Sequence, residues 1–360
     1  MYPRRSESER HRVSYGSLKS TAVGTCARIG IFDLARKRRL NDVCVLAYHD
    51  ILPPGFDANH PVFGMTVSSE DFTWQMAYVK RHFSPISLDE LFESIEHGAA
   101  LPPHPLLVTF DDGHRNLITH ALPILQRYDI PAVGFVLSDF VGKPPQPTWA
   151  EDLQLRVMAS QAKSISTTDG RMLTLRSNGA AVAEDPFDLI RSLPAHAWRR
   201  ELEWLLTQLP EQGDEVSRCP GRFEFLDEED CRRLQSEGIS IQSHGQDHAI
   251  LGCLDSADVE RQLIESRIAI EQITGHEVSA LAYPFGEPGL DFGVRDERIA
   301  RAAGYRLAFA ATGGYWSRTS GALCLPRISI DRAACERRYF EYALSGLREP
   351  TQRLLFALRV

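Results

Sequence analysis

The chain has 360 residues, 43% of them hydrophobic and 24% charged, the balance of a soluble globular protein long enough to bury a sizeable core. No apolar run reaches the ~18 residues that a membrane-crossing helix needs, which excludes a transmembrane span. Residues 1–40 carry ten Lys or Arg against three Asp or Glu, while the other 320 residues carry 30 against 45. An acidic body of this kind argues against nucleic acid as a partner, because phosphate binding needs a concentrated positive face.

Residues 1–40 read as a basic, aperiodic leader. It lacks the apolar core of a signal peptide, so the expected location is cytoplasmic. The seven scattered cysteines include no CxxC pair and read as reduced thiols. The positive charge of the leader suits peripheral contact with an anionic membrane. Val43–Tyr48 is a short apolar run and predicts a buried strand. Residues 70–81 show helical spacing after a capping Ser68 or Ser69. Ser87 and Glu90 form a capping-box pattern that opens a second helix. A Pro-rich turn then launches the strand Leu106–Phe110.

Beyond it, the spacing predicts helix 117–128, strand Ala132–Leu137, helix 228–236 and strand Ile239–Gln242. Helix 257–273 follows, stopped by Gly275, and then strands Ser279–Tyr283 and Arg306–Ala310. Strands alternating with helices imply βα units around a largely parallel sheet. Residues 143–225 interrupt this rhythm, beginning with Pro144, Pro145 and Pro147 and holding two expected helices, near 186–193 and 196–208. They read as a long insertion in one domain, either a packed helical excursion or a wall over the site. Arg338–Leu347 predicts a packing helix within a C-terminal helical segment, 336–360.

Three strand ends carry chemistry. Thr109-Phe110-Asp111-Asp112-Gly113 places two carboxylates at the end of the clearest strand. Ser243-His244-Gly245-Gln246-Asp247-His248 follows another, and histidines four apart can meet one ion if the turn between them is helical. Two histidines and one carboxylate make a three-ligand site with an open position. Asp112 is the natural third ligand, which leaves Asp111 as a base. The third strand end is Ala282-Tyr283-Pro284-Phe285-Gly286. Proline has no N–H, so Phe285 is the candidate backbone donor and Tyr283 is part of a pocket wall. Taken singly, each pattern also reads as an ordinary turn.

TFDDG, SHGQDH and YPFG in this order resemble the polysaccharide deacetylase family, the NodB-homology group of carbohydrate esterase family four. Ala47-Tyr48-His49-Asp50 and residues 66–91 further resemble bacterial exopolysaccharide deacetylases. The similarity covers about 41–335, interrupted by the insertion. It implies an α/β fold, a deformed (β/α) barrel of about seven strands. It also implies hydrolysis of N-acetyl groups on an N-acetylhexosamine glycan by a divalent metal. Carried over by position, Asp112, His244 and His248 hold the metal, Asp111 is the base, and the Phe285 N–H binds the oxyanion. Zinc is the default ion for such ligands, and cobalt or nickel fit the same set.

The sequence departs from the family pattern at two places. The stretch Leu325-Pro326-Arg327-Ile328 lacks the C-terminal histidine that acts as general acid, and His49 is the substitute expected from the Tyr-His motif. Ala282 stands where an arginine usually orients the base, and Arg327 is the expected replacement. Trp149 and Trp316 are candidates to stack on sugar rings. These departures also define an alternative, a non-catalytic glycan-binding or assembly protein on a deacetylase scaffold. The intact Asp-Asp and His-His set argues against it. Another acylated sugar, such as an ester, is a third reading. Nothing in the sequence specifies an oligomeric state.

Overall fold

Seven short apolar runs become parallel strands because both of their faces find cover. In the computed structural model, which describes residues 23–347 apart from 27, 57–63, 176–184, 212–218, 220 and 319, these are β1 (Val43–Tyr48), β2 (Pro105–Phe110), β3 (Ala132–Val136), β4 (Ile239–Ser243), β5 (Ala280–Ala282), β6 (Leu307–Ala310) and β7. The last is split into Leu325–Pro326 and Ile328–Ser329. Each strand pairs in parallel with the next, from β1 through β6. The first half of β7 then pairs with β6, and its second half pairs with β1. The sheet therefore returns on itself as a deformed, nearly closed (β/α) barrel, as the resemblance implies.

Alternation sorts the side chains. Val43, Val45, Leu107, Val133, Phe135, Ala282, Leu307, Phe309 and Leu325 form one buried cluster inside the barrel. The intervening Leu46, Tyr48, Leu106, Val108 and Phe110 meet the surrounding helices, where Phe72 and Met76 pack on them. The helix signals act where the sequence places them. Ser68 accepts from the Asp71 N–H to start Ser69–His82. Ser87 and Glu90 form the full capping box of Leu88–His97. Gly275, in a left-handed conformation, ends Ser256–Thr274.

Three expectations change. The 117–128 helix is not uniform: Leu117–Ala121 is a π-helical turn and Leu122–Tyr128 is α-helical. Pro123 lies in this stretch and offers no N–H to a regular ladder. The insertion holds a third helix, Trp149–Ala159, opened by a Thr148–Glu151 capping box just after the prolines. It also holds a small antiparallel pair, Ser164–Ser166 with Met172–Thr174. Leu153, Ile165, Leu173, Ile190, Trp198 and Leu205 join the main core, so the insertion is packed structure.

The leader is also partly folded. Its helix Ile31–Lys37 sets Phe32 against Tyr342, ring centroids 5.5 Å apart. Tyr342 belongs to the C-terminal helix Arg337–Leu344, whose Phe340 packs edge-on against Trp74 and Tyr78. Residues 1–22 lie outside the described part. No described helix is long and apolar enough to cross a membrane. None of the seven cysteines forms a disulfide.

Candidate active site

The C-terminal ends of β1, β2, β4 and β5 and the break in β7 meet at one rim, the usual place for chemistry in βα barrels. At the end of β2 the chain leaves the strand through two left-handed residues, Asp112 (φ 70°) and Gly113 (φ 80°). Asp112 therefore does not take the opposite face from Asp111, as strand alternation would require. Gly113 has no substitute here, because a Cβ would lie 3.0 Å from the Val136 side chain.

Asp111 lies over the barrel interior and is bound at both oxygens by Arg327. Nη1 donates to Oδ1 at 2.6 Å and Nη2 to Oδ2 at 2.7 Å. Arg327 also donates to Thr109 Oγ1, and its guanidinium lies 5.6 Å from the Phe135 ring centroid. It is only 2% exposed. Its position follows from barrel closure, because residue 327 lies where β7 switches partner from β6 to β1. Burial alone would raise the Asp111 pKa, but Arg327 and His244 outweigh it and hold the carboxylate below its ordinary value. Asp111 therefore stays charged, and each oxygen keeps a second lone pair.

Asp112, His244 and His248 each offer a ligand atom, and the three atoms lie within 4.8 Å of one another. Both histidine Nε2 atoms face Asp112 Oδ1, at 3.4 and 3.5 Å. A tetrahedral ion with bonds of about 2.0–2.1 Å sets its ligand atoms about 3.4 Å apart, so the spacing fits. The lone pairs fit as well. His244 Nδ1 lies 2.8 Å from the Ala282 carbonyl, which can only accept, so Nδ1 carries a proton, and in the neutral ring the Nε2 lone pair faces Asp112. Asp112 Oδ1 is buried with no hydrogen-bond partner. Two facing electron pairs need a positive charge between them.

The pKa shifts carry the same demand. Burial would lower the His244 pKa, but Asp111 and Asp112 raise it. Burial would raise that of Asp112, and the histidines hold it well below normal. His248 is pushed down to about 4, mainly by burial, and is neutral near pH 7, as a ligand must be. The 244–248 segment is not the helical turn the spacing suggested. It is an irregular turn with Gly245 at φ 85° and His248 at φ 61°. Gln262 holds it by accepting from the Gln246 N–H and donating to Asp247.

Phe285 is also left-handed, at φ 60°. Its ring lies 4.4 Å from the His248 ring. Among the described residues nothing accepts its N–H. His49 follows β1, and its Nδ1 is buried without a partner. Its charge is felt at Asp111, Asp112 and His248, which puts it within electrostatic range of the site.

Three expected substrate residues are placed differently. Trp316 is 2% exposed and pairs with Val43, at the end of β1 away from His49. It fills the core and reaches no site residue. Tyr283 is buried, donates to the Leu323 carbonyl and stacks on Phe292 with centroids 3.7 Å apart. It is packed in the core beneath the turn rather than in an open wall. Trp149 does reach the rim, but as packing. Its rings contact Phe187, Trp198 and Phe285, and its Nε1 donates to the His248 carbonyl at 2.9 Å.

A buried polar network beside the site escaped the sequence reading. Asp50 Oδ1 lies 3.0 Å from His114 Nδ1 and accepts from Asn116 Nδ2. Its Oδ2 lies 3.0 Å from Arg222 Nε, off the hydrogen-bonding axis. Arg222 in turn donates to Glu151. His114 and Asn116 stand just after the Asp-Asp-Gly motif, which was an available signal. Nothing near Arg222 in the sequence marks it.

A family model described as polysaccharide deacetylase matches residues 98–167 and 202–308. A poly-beta-1,6-N-acetyl-D-glucosamine N-deacetylase of Escherichia coli strain K12 is 26% identical over 104 residues, 29% of this chain and 15% of that protein. Its namesake in Staphylococcus aureus strain MSSA476 is 27% identical over 115 residues, 30% of this chain and 40% of that protein. The match thus spans less than half the length of either relative. The solved structure of Streptococcus pyogenes deacetylase PplD in complex with acetate superposes with a TM-score of 0.54 at 18% identity, covering 84% of this chain and 98% of that one. That likeness shows the fold.

Proposed function

The chain carries a domain of the polysaccharide deacetylase family, and on that premise we propose that it is a metal-dependent hydrolase removing N-acetyl groups from an N-acetylhexosamine glycan in exopolysaccharide biosynthesis. One observation carries the reading. A charged, Arg327-bound Asp111 stands next to Asp112, whose unpartnered oxygen faces two histidine nitrogens. A base beside a cation site is what amide hydrolysis requires.

Asp112, His244 and His248 would hold the ion, with zinc the default for this ligand set. A divalent ion there supplies a Lewis acid that polarises the acyl carbonyl and acidifies water. Asp111 accepts the proton of the attacking water on a lone pair that Arg327 leaves free. The new C–O bond forms at the carbonyl carbon, and the Phe285 N–H donates to the developing oxyanion. His49 gives its proton to the leaving nitrogen as the C–N bond breaks. The products are acetate and a free amino sugar. Solvent then returns the proton to His49 and removes the one on Asp111.

Acetate release from N-acetylglucosamine oligomers, measured alongside bound metal, tests this. Asp111→Asn should keep metal and lose turnover by about 10²–10⁴-fold, the range for a general base. His49→Ala should slow turnover strongly at unchanged metal content. Full activity in Asp111→Asn would overturn the assignment. Glycan binding with no acetate release from the unaltered chain would favour a binding protein.

A further inference from the structure

The two histidines of the cation site are held by different means. His244 has its Nδ1 fixed on the Ala282 carbonyl, 2.8 Å away. His248 has no such support: its Nδ1 is buried and has no hydrogen-bond partner. Its backbone is also left-handed, at φ 61°, a conformation a non-glycine residue keeps only when its surroundings impose it.

Those surroundings come from the insertion. The Trp149 indole N–H donates to the His248 carbonyl at 2.9 Å. Arg199 reaches the neighbouring Asp247 at 2.8 Å. The His248 ring rests on Phe285, which packs against both Trp149 and Phe187. Trp149 is itself held in place. It is the first residue of its helix, and Glu151 of the same first turn binds Arg222, which faces Asp50 on the barrel rim. The insertion thus grips the rim at two points within one helical turn.

We infer that Trp149 is a positioning residue for the metal site: its indole N–H fixes the backbone of His248 and so aims Nε2 at the ion, replacing the ring hydrogen bond that His248 lacks. A contact on the second ring nitrogen ordinarily fixes the orientation of a ligating histidine, and here the contact is made to the backbone instead. The 143–225 insertion is then part of the metal site. The inference rests on the proposed metal-dependent reading.

Trp149→Phe tests it, because phenylalanine keeps an aromatic ring among Phe187, Trp198 and Phe285 while removing the donor and only part of the ring volume. Zinc affinity is measured by chelator competition, ligand geometry by the visible spectrum of the cobalt form, and stability by the melting temperature of the metal-free chain. The expected result is zinc affinity about tenfold weaker, within the range seen when an outer contact is lost. The cobalt spectrum should shift, with little change in melting temperature. Leu205→Ala, in the buried core of the insertion, should lower the melting temperature and leave zinc affinity alone. Unchanged affinity and spectrum in Trp149→Phe overturn the inference, as does an equal loss of affinity in Leu205→Ala. An unaltered chain that takes up no metal overturns the functional reading, and the inference falls with it.

Discussion

The barrel side and the insertion side of the site solve the same positioning problem differently. On the barrel side, Asp111, Asp112 and His244 sit directly on strand ends, and their partners are other strand ends. Arg327 comes from the split in β7, and the Ala282 carbonyl from β5. On the insertion side, His248 and Asp50 depend on Trp149, Arg222 and Glu151, side chains from a segment that joins no barrel strand. Backbone pairing makes the first half rigid by construction. The second half is as firm as the docking of the insertion.

Substitutions on either side can break this comparison. The largest effect is expected for Arg327→Ala, which leaves Asp111 buried and charged without its partner. Loss of one member of a buried pair typically destabilises by about 3–5 kcal/mol, read by urea unfolding, and hydrolysis should be lost too. Stability within 1 kcal/mol of the unaltered chain, an order-of-magnitude margin on that range, would mean that the pair is not what holds the barrel side.

A smaller loss, about 3 kcal/mol at the lower end of the same range, is expected for Arg222→Met, because Asp50 keeps His114 and Asn116. Faster proteolytic nicking within 143–225 should accompany it. Nicking at the unaltered rate would place the grip elsewhere.

The smallest effect is one of pH. Burial would raise the Asp50 pKa, but Arg222 and His114 outweigh it and hold it below the ordinary 3.8. A depressed carboxylate stabilises the fold above its unfolded value, and that contribution is lost as pH falls through the folded value. Unfolding free energy should therefore fall less steeply below about pH 4 in Asp50→Asn than in the unaltered chain. Identical acid slopes would remove Asp50 from the account.

The same division separates what could be read in advance. The strands β1 to β6 were legible because each is an apolar run bounded by turn residues. The Asp-Asp-Gly and His-x-x-x-His groups were legible because catalytic spacing within one turn is a local property. Arg327 was nameable as the partner of Asp111 only because Ala282 left that role open. Trp149 was marked for the right region, but its bond to the His248 carbonyl was not legible, since a sequence shows an indole but not which way its N–H points. Trp316 looked equivalent to it, and lies at the other end of β1.

What the sequence determined by itself is the alternation of strands and helices around a largely parallel sheet, with the barrel implied only by the family resemblance, and the identity of the chemical groups at the strand ends. Periodicity and strand-end motifs act over a few residues, where covalent geometry sets which side chains are neighbours. What only the tertiary structure decided is how those groups face one another. Asp111 meets Arg327 across 216 residues, and Trp149 meets His248 across 99. Asp112, His248 and Phe285 all adopt left-handed backbones. Local preference opposes that conformation in every one of them, so no local signal can announce it. It persists because the closed barrel and the packed insertion together leave these residues no cheaper arrangement.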